Sequence, residues 1–162
     1  GSDPKTVVER VIACVQEHKA RRAWHPGDTA WAVFDGEEHW GTDGQKQNWN
    51  TAVQLAHAKG IQLAVSNPSF ELWYLLHFHR QSATIHRDAV IVALKKEGHI
   101  ANYHKSLEVF DLLRENLPAA VDSAKVLATK CSTAGWDRWP NPSTGVYALV
   151  EMLLPDLTRT PK

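Results

Sequence analysis

Apolar and polar positions alternate along this chain in a pattern that changes period several times. Val7, Val8, Val11, Ile12 and Val15 recur at helical spacing, which predicts an opening helix with Asp3 as its N-cap and Pro4 in its first position. After the turn at His25-Pro26-Gly27-Asp28, residues 29–34 form a short continuous apolar run. Such a run predicts a strand buried on both faces, the kind found in parallel sheets. Residues 45–59 then present Trp49, Ala52, Val53 and Ala56 on one helical face, with Gly60 as C-cap. A second strand follows at residues 61–65. Strand, helix and strand at this length make a βαβ unit.

Asn67-Pro68 predicts the stop of the second strand and the start of a helix, with Asn67 as N-cap and Pro68 in the first helical position. The turns that follow hold Phe70, Leu72, Trp73, Leu75, Leu76 and Phe78, and a helix apolar nearly all round is a buried one. The rest reads as mostly helical: residues 85–97 closed by Gly98, residues 105–116, and a helix from Pro118 to about residue 130. A loop at residues 132–142 and an amphipathic helix carrying Val146, Leu149, Val150, Leu153 and Leu154 complete the chain. Two parallel strands are a thin sheet, so a third is expected to be hidden or missing. The expected fold class is α/β, a small parallel sheet with flanking helices and a mostly helical C-terminal half.

Length and charge narrow the picture. The 162 residues suit a single domain, with an α/β core over residues 1–79 and a helical portion over residues 80–162. Lys+Arg and Asp+Glu balance at 18 each, so a nucleic-acid partner would need a local patch rather than a global field. Cys14 and Cys131 are too few for a disulfide framework or a thiolate zinc site, and read as buried free thiols. No stretch resembles a signal peptide or approaches the length of a membrane span. A reducing cytoplasm and no membrane partner are the expectation.

Two stretches can carry chemistry. The first strand runs into Asp35-Gly36-Glu37-Glu38-His39, at the sheet edge where ligands gather in open α/β folds. Residues i and i+2 of an extended chain face the same way, so Asp35 and Glu37 would offer two hard oxygen donors to Mg²⁺ or Mn²⁺. The alternative is that Asp35 simply ends a strand, as Asp often does. Glu71 would reach the same site if the two strands are neighbours. Otherwise it answers the dipole and the free N–H groups of its own helix start. His77 lies six positions further on, too far around the helix to pair with Glu71 as ligands. It is either a packed histidine or serves another part of the site. His79, His86, His99 and His104 have no ligand spacing and read as surface residues.

The order and spacing of Phe34-Asp35-Gly36-Glu37-Glu38-His39, Ser66-Asn67-Pro68-Ser69-Phe70-Glu71-Leu72-Trp73 and His77-Phe78 resemble the RloB family, proteins encoded beside restriction–modification genes and linked to phage defence. Ser2-Asp3-Pro4, Tyr103-His104-Lys105 and Asn141-Pro142-Ser143-Thr144 extend the resemblance over nearly the whole chain. It implies a Toprim-like, Mg²⁺-dependent nuclease acting on DNA or RNA. Asp35 and Glu37 would hold metal, although the family usually has Asp where this chain has Glu37. Glu71 would hold a second metal or position water, and Lys105 would contact phosphate. His77 joins the catalytic candidates. The resemblance also implies a glutamate on an earlier strand ahead of Ser2-Asp3-Pro4, so the chain is expected to be truncated at its N-terminus. A non-catalytic interaction module partnering a defence ATPase or restriction–modification components is the alternative. A phosphotransferase of the haloacid-dehalogenase type ranks last, because Glu37-Glu38 does not supply its second Asp.

Overall fold

A computed structural model describes residues 3–36, 41–131 and 139–158. It is a mixed α/β structure with a small open sheet. The first helix, α1 (Pro4–Ala20), opens as expected. Asp3 Oδ1 accepts from the Thr6 amide and Oδ2 from the Thr6 hydroxyl. Asn48 Nδ2 also donates to Asp3 Oδ1 at 2.7 Å, and these bonds pull the Asp3 carboxyl down to about 2. Through Asn48 the cap also ties α1 to α2 (Asp43–Lys59). The second helix starts two residues earlier than its apolar face suggests, because Thr42 and Gln45 form a capping box. It ends at Gly60, whose φ of 69° is the left-handed conformation expected there.

The strands are β1 (Trp31–Asp35), β2 (Gln62–Asn67) and β3 (Ser143–Thr144), in the order β1-β2-β3. Parallel pairing of β1 with β2 places Asp35 opposite Ser66. The hidden third strand is β3. It pairs antiparallel to β2, so the sheet is mixed rather than parallel. Nor is β1 buried on both faces, since it is an edge strand and Val33 is 37% exposed. Trp31 is half-buried and packs on the Ala64 side of the sheet.

One face of the sheet packs α1 and α2, with Ala32, Phe34 and Val65 against Val8, Trp49 and Ala56. The other packs Ala64 against Leu72, Leu76, Val121, Ala124 and Val146. These come from three helices, α3 (Glu71–Leu75), α6 (Leu117–Ala128) and α7 (Val146–Leu153), and from Leu76, the C-cap of α3. The remaining helices are α4 (Arg87–Leu94) and a four-residue α5 (Phe110–Leu113) continued by a 3-10 turn at Arg114–Asn116. Leu75, Val90, Leu94, Tyr103 and Leu113 form a third cluster between α3 and this region.

Three local expectations are corrected. Asn67 is the last residue of β2 and Pro68 follows it through a cis bond, so neither begins a helix. The helix starts at Glu71, with Phe70 as N-cap and no side-chain cap. Residues 105–116 are helical only at their end. The cysteines are not core thiols: Cys14 is exposed on α1, and Cys131 is half-buried beyond α6. Among the described residues no helix is long and apolar enough to cross a membrane.

Candidate functional site

The end of β1 and the start of α3 come together because β1 and β2 are neighbours in register. Gly36 N–H continues the ladder, donating to Ser66 O at 2.8 Å. A Cβ on Gly36 would stand 3.2 Å from Asn67 Cβ, so the close approach of the two strand ends depends on glycine there. Asp35 then reaches across to the helix, where its Oδ1 accepts from the Phe70 amide at 2.8 Å. The carboxylate thus binds an otherwise unpartnered N–H group at the helix start. Glu71, the next residue, is buried and accepts from the Tyr103 hydroxyl at 3.2 Å.

Two acids therefore share one edge of the sheet. The pKa of the Asp35 carboxyl is raised above its ordinary value. Burial is the main cause, and the charge of Glu71 adds to it; the Phe70 amide, Arg87 and Lys105 pull the other way. Tyr103 is pushed up strongly, first by its own burial and then by Glu71, so its hydroxyl remains a donor. The Tyr74 hydroxyl is raised by burial and by Glu71 as well. Arg87, at the start of α4, places Nη2 3.8 Å from Asp35 Oδ2. Lys105 is exposed and close enough for its charge to act on Asp35.

Of the residues expected at the site, Asp35 and Glu71 are brought together, and the charge of Lys105 reaches Asp35. Glu37 lies outside the described residues. His77 is not part of this group. Its Nδ1 donates to Trp73 O at 2.9 Å, its ring packs edge-on to Trp73, and burial holds its pKa below the ordinary histidine value. It is buried and also lines a cleft of about 210 Å³ with Tyr74, Leu113 and Val150. Arg87 and Tyr103 are the residues that sequence reasoning missed as site members. Tyr103 had a signal in its spacing from Lys105; Arg87 had none, because only the packing of α4 on α3 brings it to Asp35.

The architecture is that of a small α/β protein with an acidic pair at the carboxyl end of adjoining parallel strands. Within that class the chain belongs to the RloB-like family, which it matches over residues 1–153. No curated protein and no solved structure matches it significantly.

Proposed function

We propose that this chain is a Toprim-like, Mg²⁺- or Mn²⁺-dependent domain that cleaves phosphodiesters as part of an antiviral defence system. The observation that carries the reading is the meeting of Asp35 and Glu71 from separate parts of the fold, in a chain of the RloB-like family. Among the described residues no three His, Cys, Asp or Glu cluster closely enough to enclose a metal. The donor set nonetheless fits a hard divalent cation, which is commonly held by one or two carboxylates with water and substrate oxygens completing its shell. Besides the main effect of burial, the like charge of Glu71 raises Asp35, a repulsion that a cation between the two carboxylates would relieve.

Asp35, Glu71 and, from its position in sequence, Glu37 would hold the ion. Bound there, it would polarise the phosphodiester and activate water. Tyr103 fixes Glu71 by donating its hydroxyl, and Arg87 with the Phe70 amide fixes Asp35. Lys105 is exposed, its charge acts on Asp35, and it would take a phosphate oxygen.

The test is cleavage of labelled DNA and RNA with Mg²⁺ or Mn²⁺, alongside calorimetric metal binding. Asp35→Ala is expected to abolish both. Activity unaffected by that change sinks the proposal. A second reading, a non-catalytic module docking a defence ATPase, is favoured by the fact that both Asp35 oxygens already face protein partners. Neither metal binding nor cleavage, together with retained ATPase association in Asp35→Ala, would select it.

A further inference from the structure

The chain sums to zero charge, yet its positive residues are not spread evenly. Residues 77–105 hold five Lys or Arg against two acids, Asp88 and Glu97, and five of the nine histidines. The fold gathers this stretch around α4. Arg87 opens the helix beside Asp35, and Lys105 also acts there. At the other end of α4, His99 Nδ1 donates to Ala93 O at 2.9 Å, which fixes the ring in place. Phe78 stacks on that ring with centroids 4.5 Å apart and planes 24° apart. His79 lies against the same ring at 5.6 Å and 32°.

Lys96 and Arg80 lie beside this group of rings. Partial burial, with His99 and Lys96 nearby, holds the pKa of His79 below the ordinary histidine value. Arg80 lines an adjoining cleft of about 270 Å³ with His77, Phe78 and His79. Asp122 is the acid on that cleft wall. Lys130 reaches the same loop, donating to Ser82 O at 3.4 Å. Aromatic faces beside clustered cations are what a single-stranded nucleic acid needs: bases stack, and phosphates find charge. A duplex offers no free base faces for such stacking.

We infer that the surface formed by Phe78, His79, Arg80, Lys96 and His99 binds single-stranded nucleic acid and leads it along α4 to the Asp35–Glu71 pair. This deepens the nuclease reading and rests on it. His79 follows the turns that continue α3 beyond Leu75, its amide donating to Leu75 O at 3.2 Å. Arg87 at the start of α4 stands beside Asp35 and His99 is bonded to its far end at Ala93, so a strand held on the rings can follow α4 to the acids. Arg80 and Lys96 would contact phosphates, and the exposed ring of His79 would take a base.

The experiment measures fluorescence anisotropy of a labelled single-stranded dodecamer, as DNA and as RNA of the same sequence, in EDTA so that no cleavage occurs. His79→Ala is expected to weaken binding about five- to hundredfold, the range for losing one stacked base. Arg80→Ala with Lys96→Ala is expected to reduce the slope of log affinity against log salt by about 1.4, for two lost phosphate contacts. Far-UV circular dichroism checks that the variants fold. Loss with either sugar supports the inference and tells which strand is preferred. Wild-type affinity and salt slope in all these variants overturn it, as does a duplex bound as tightly as the single strand. Failure of the wild type to cleave in Mg²⁺ would count against catalysis alone, since binding is measured without metal.

Discussion

Asn67-Pro68-Ser69 and Asn141-Pro142-Ser143 are the same three residues, both with a cis Asn–Pro bond, and they lie against one another where Asn67 pairs with Ser143. Their surroundings divide the work. Asn67 is buried and donates to Trp139 O at 2.9 Å, which holds the approach to the second segment while Trp139 packs edge-on to Trp49. Asn141 is half-buried and exchanges two bonds with Ile85, donating to its carbonyl at 2.9 Å and accepting from its amide at 3.1 Å. The first segment therefore joins strand to strand and aims α3 with Glu71. The second secures the loop that delivers α4 and Arg87. One short motif, used twice, sets two sides of the acidic pair.

The sharpest break of this comparison is at Asn67. Asn67→Ala removes a buried hydrogen bond, leaves the Trp139 carbonyl without that partner and opens space beside Gly36. Urea unfolding is expected to show a loss of about 3 kcal/mol. Next comes the glycine after the second segment. A Cβ on Gly145 would sit 3.3 Å from Ala64 Cα and 3.4 Å from Val65 N, which are main-chain atoms of the central strand and cannot swing aside. Gly145→Ala is expected to cost about 2 kcal/mol in the same measurement. A neutral result at Gly145 would mean that β3 is free to move away from β2, and the pairing of the two segments would lose its structural weight.

Much of this organisation was legible in the sequence. Hydrophobic period located α1, α2, β1 and β2, and the short βαβ spacing made β1 and β2 neighbours, which is why Asp35 and Glu71 could be expected to meet. Asn67-Pro68 misled for a physical reason, whereas Asn141-Pro142 was read as loop. Asn before Pro suits a helix start or a strand end equally well, and the choice between them is made by long-range partners: Trp139 for Asn67 and Ile85 for Asn141. The two-residue β3 carries no period at all, and its place in the sheet is set by the Ser66–Thr144 hydroxyl bond and the Gly145 amide bonded to Val65 O. Arg87 was invisible because nothing local in Ile85-His86-Arg87 signals that α4 packs beside Asp35.

At Asn141 the expected effect is smaller. Asn141→Ala removes the two bonds to Ile85, but both groups lie near water and can be partly resolvated. About 1 kcal/mol of stability is expected to go. The informative reading is local: hydrogen exchange at the Ile85 amide should speed up far more in Asn141→Ala than in Asn67→Ala. Equal acceleration in the two variants would show that the segments act as one unit and not as two clamps.

The smallest effect separates the helices that follow the segments. Second-segment helix α7 buries only Val146, whereas α3 and its continuation bury Glu71 and His77. Burial lowers the pKa of His77 below its ordinary 6.5, so the folded protein binds a proton there less readily than the unfolded chain does. Stability from this group is thus full above pH 6.5 and is lost as pH falls through that value towards the folded pKa. The expected loss between pH 7 and 6 is about 0.5 kcal/mol. His77→Asn keeps a donor near the Trp73 carbonyl without a titrating ring, so thermal unfolding of that variant should lack this part of the acid-side fall. An unchanged fall in His77→Asn would place the proton uptake elsewhere and remove the electrostatic distinction between α3 and α7.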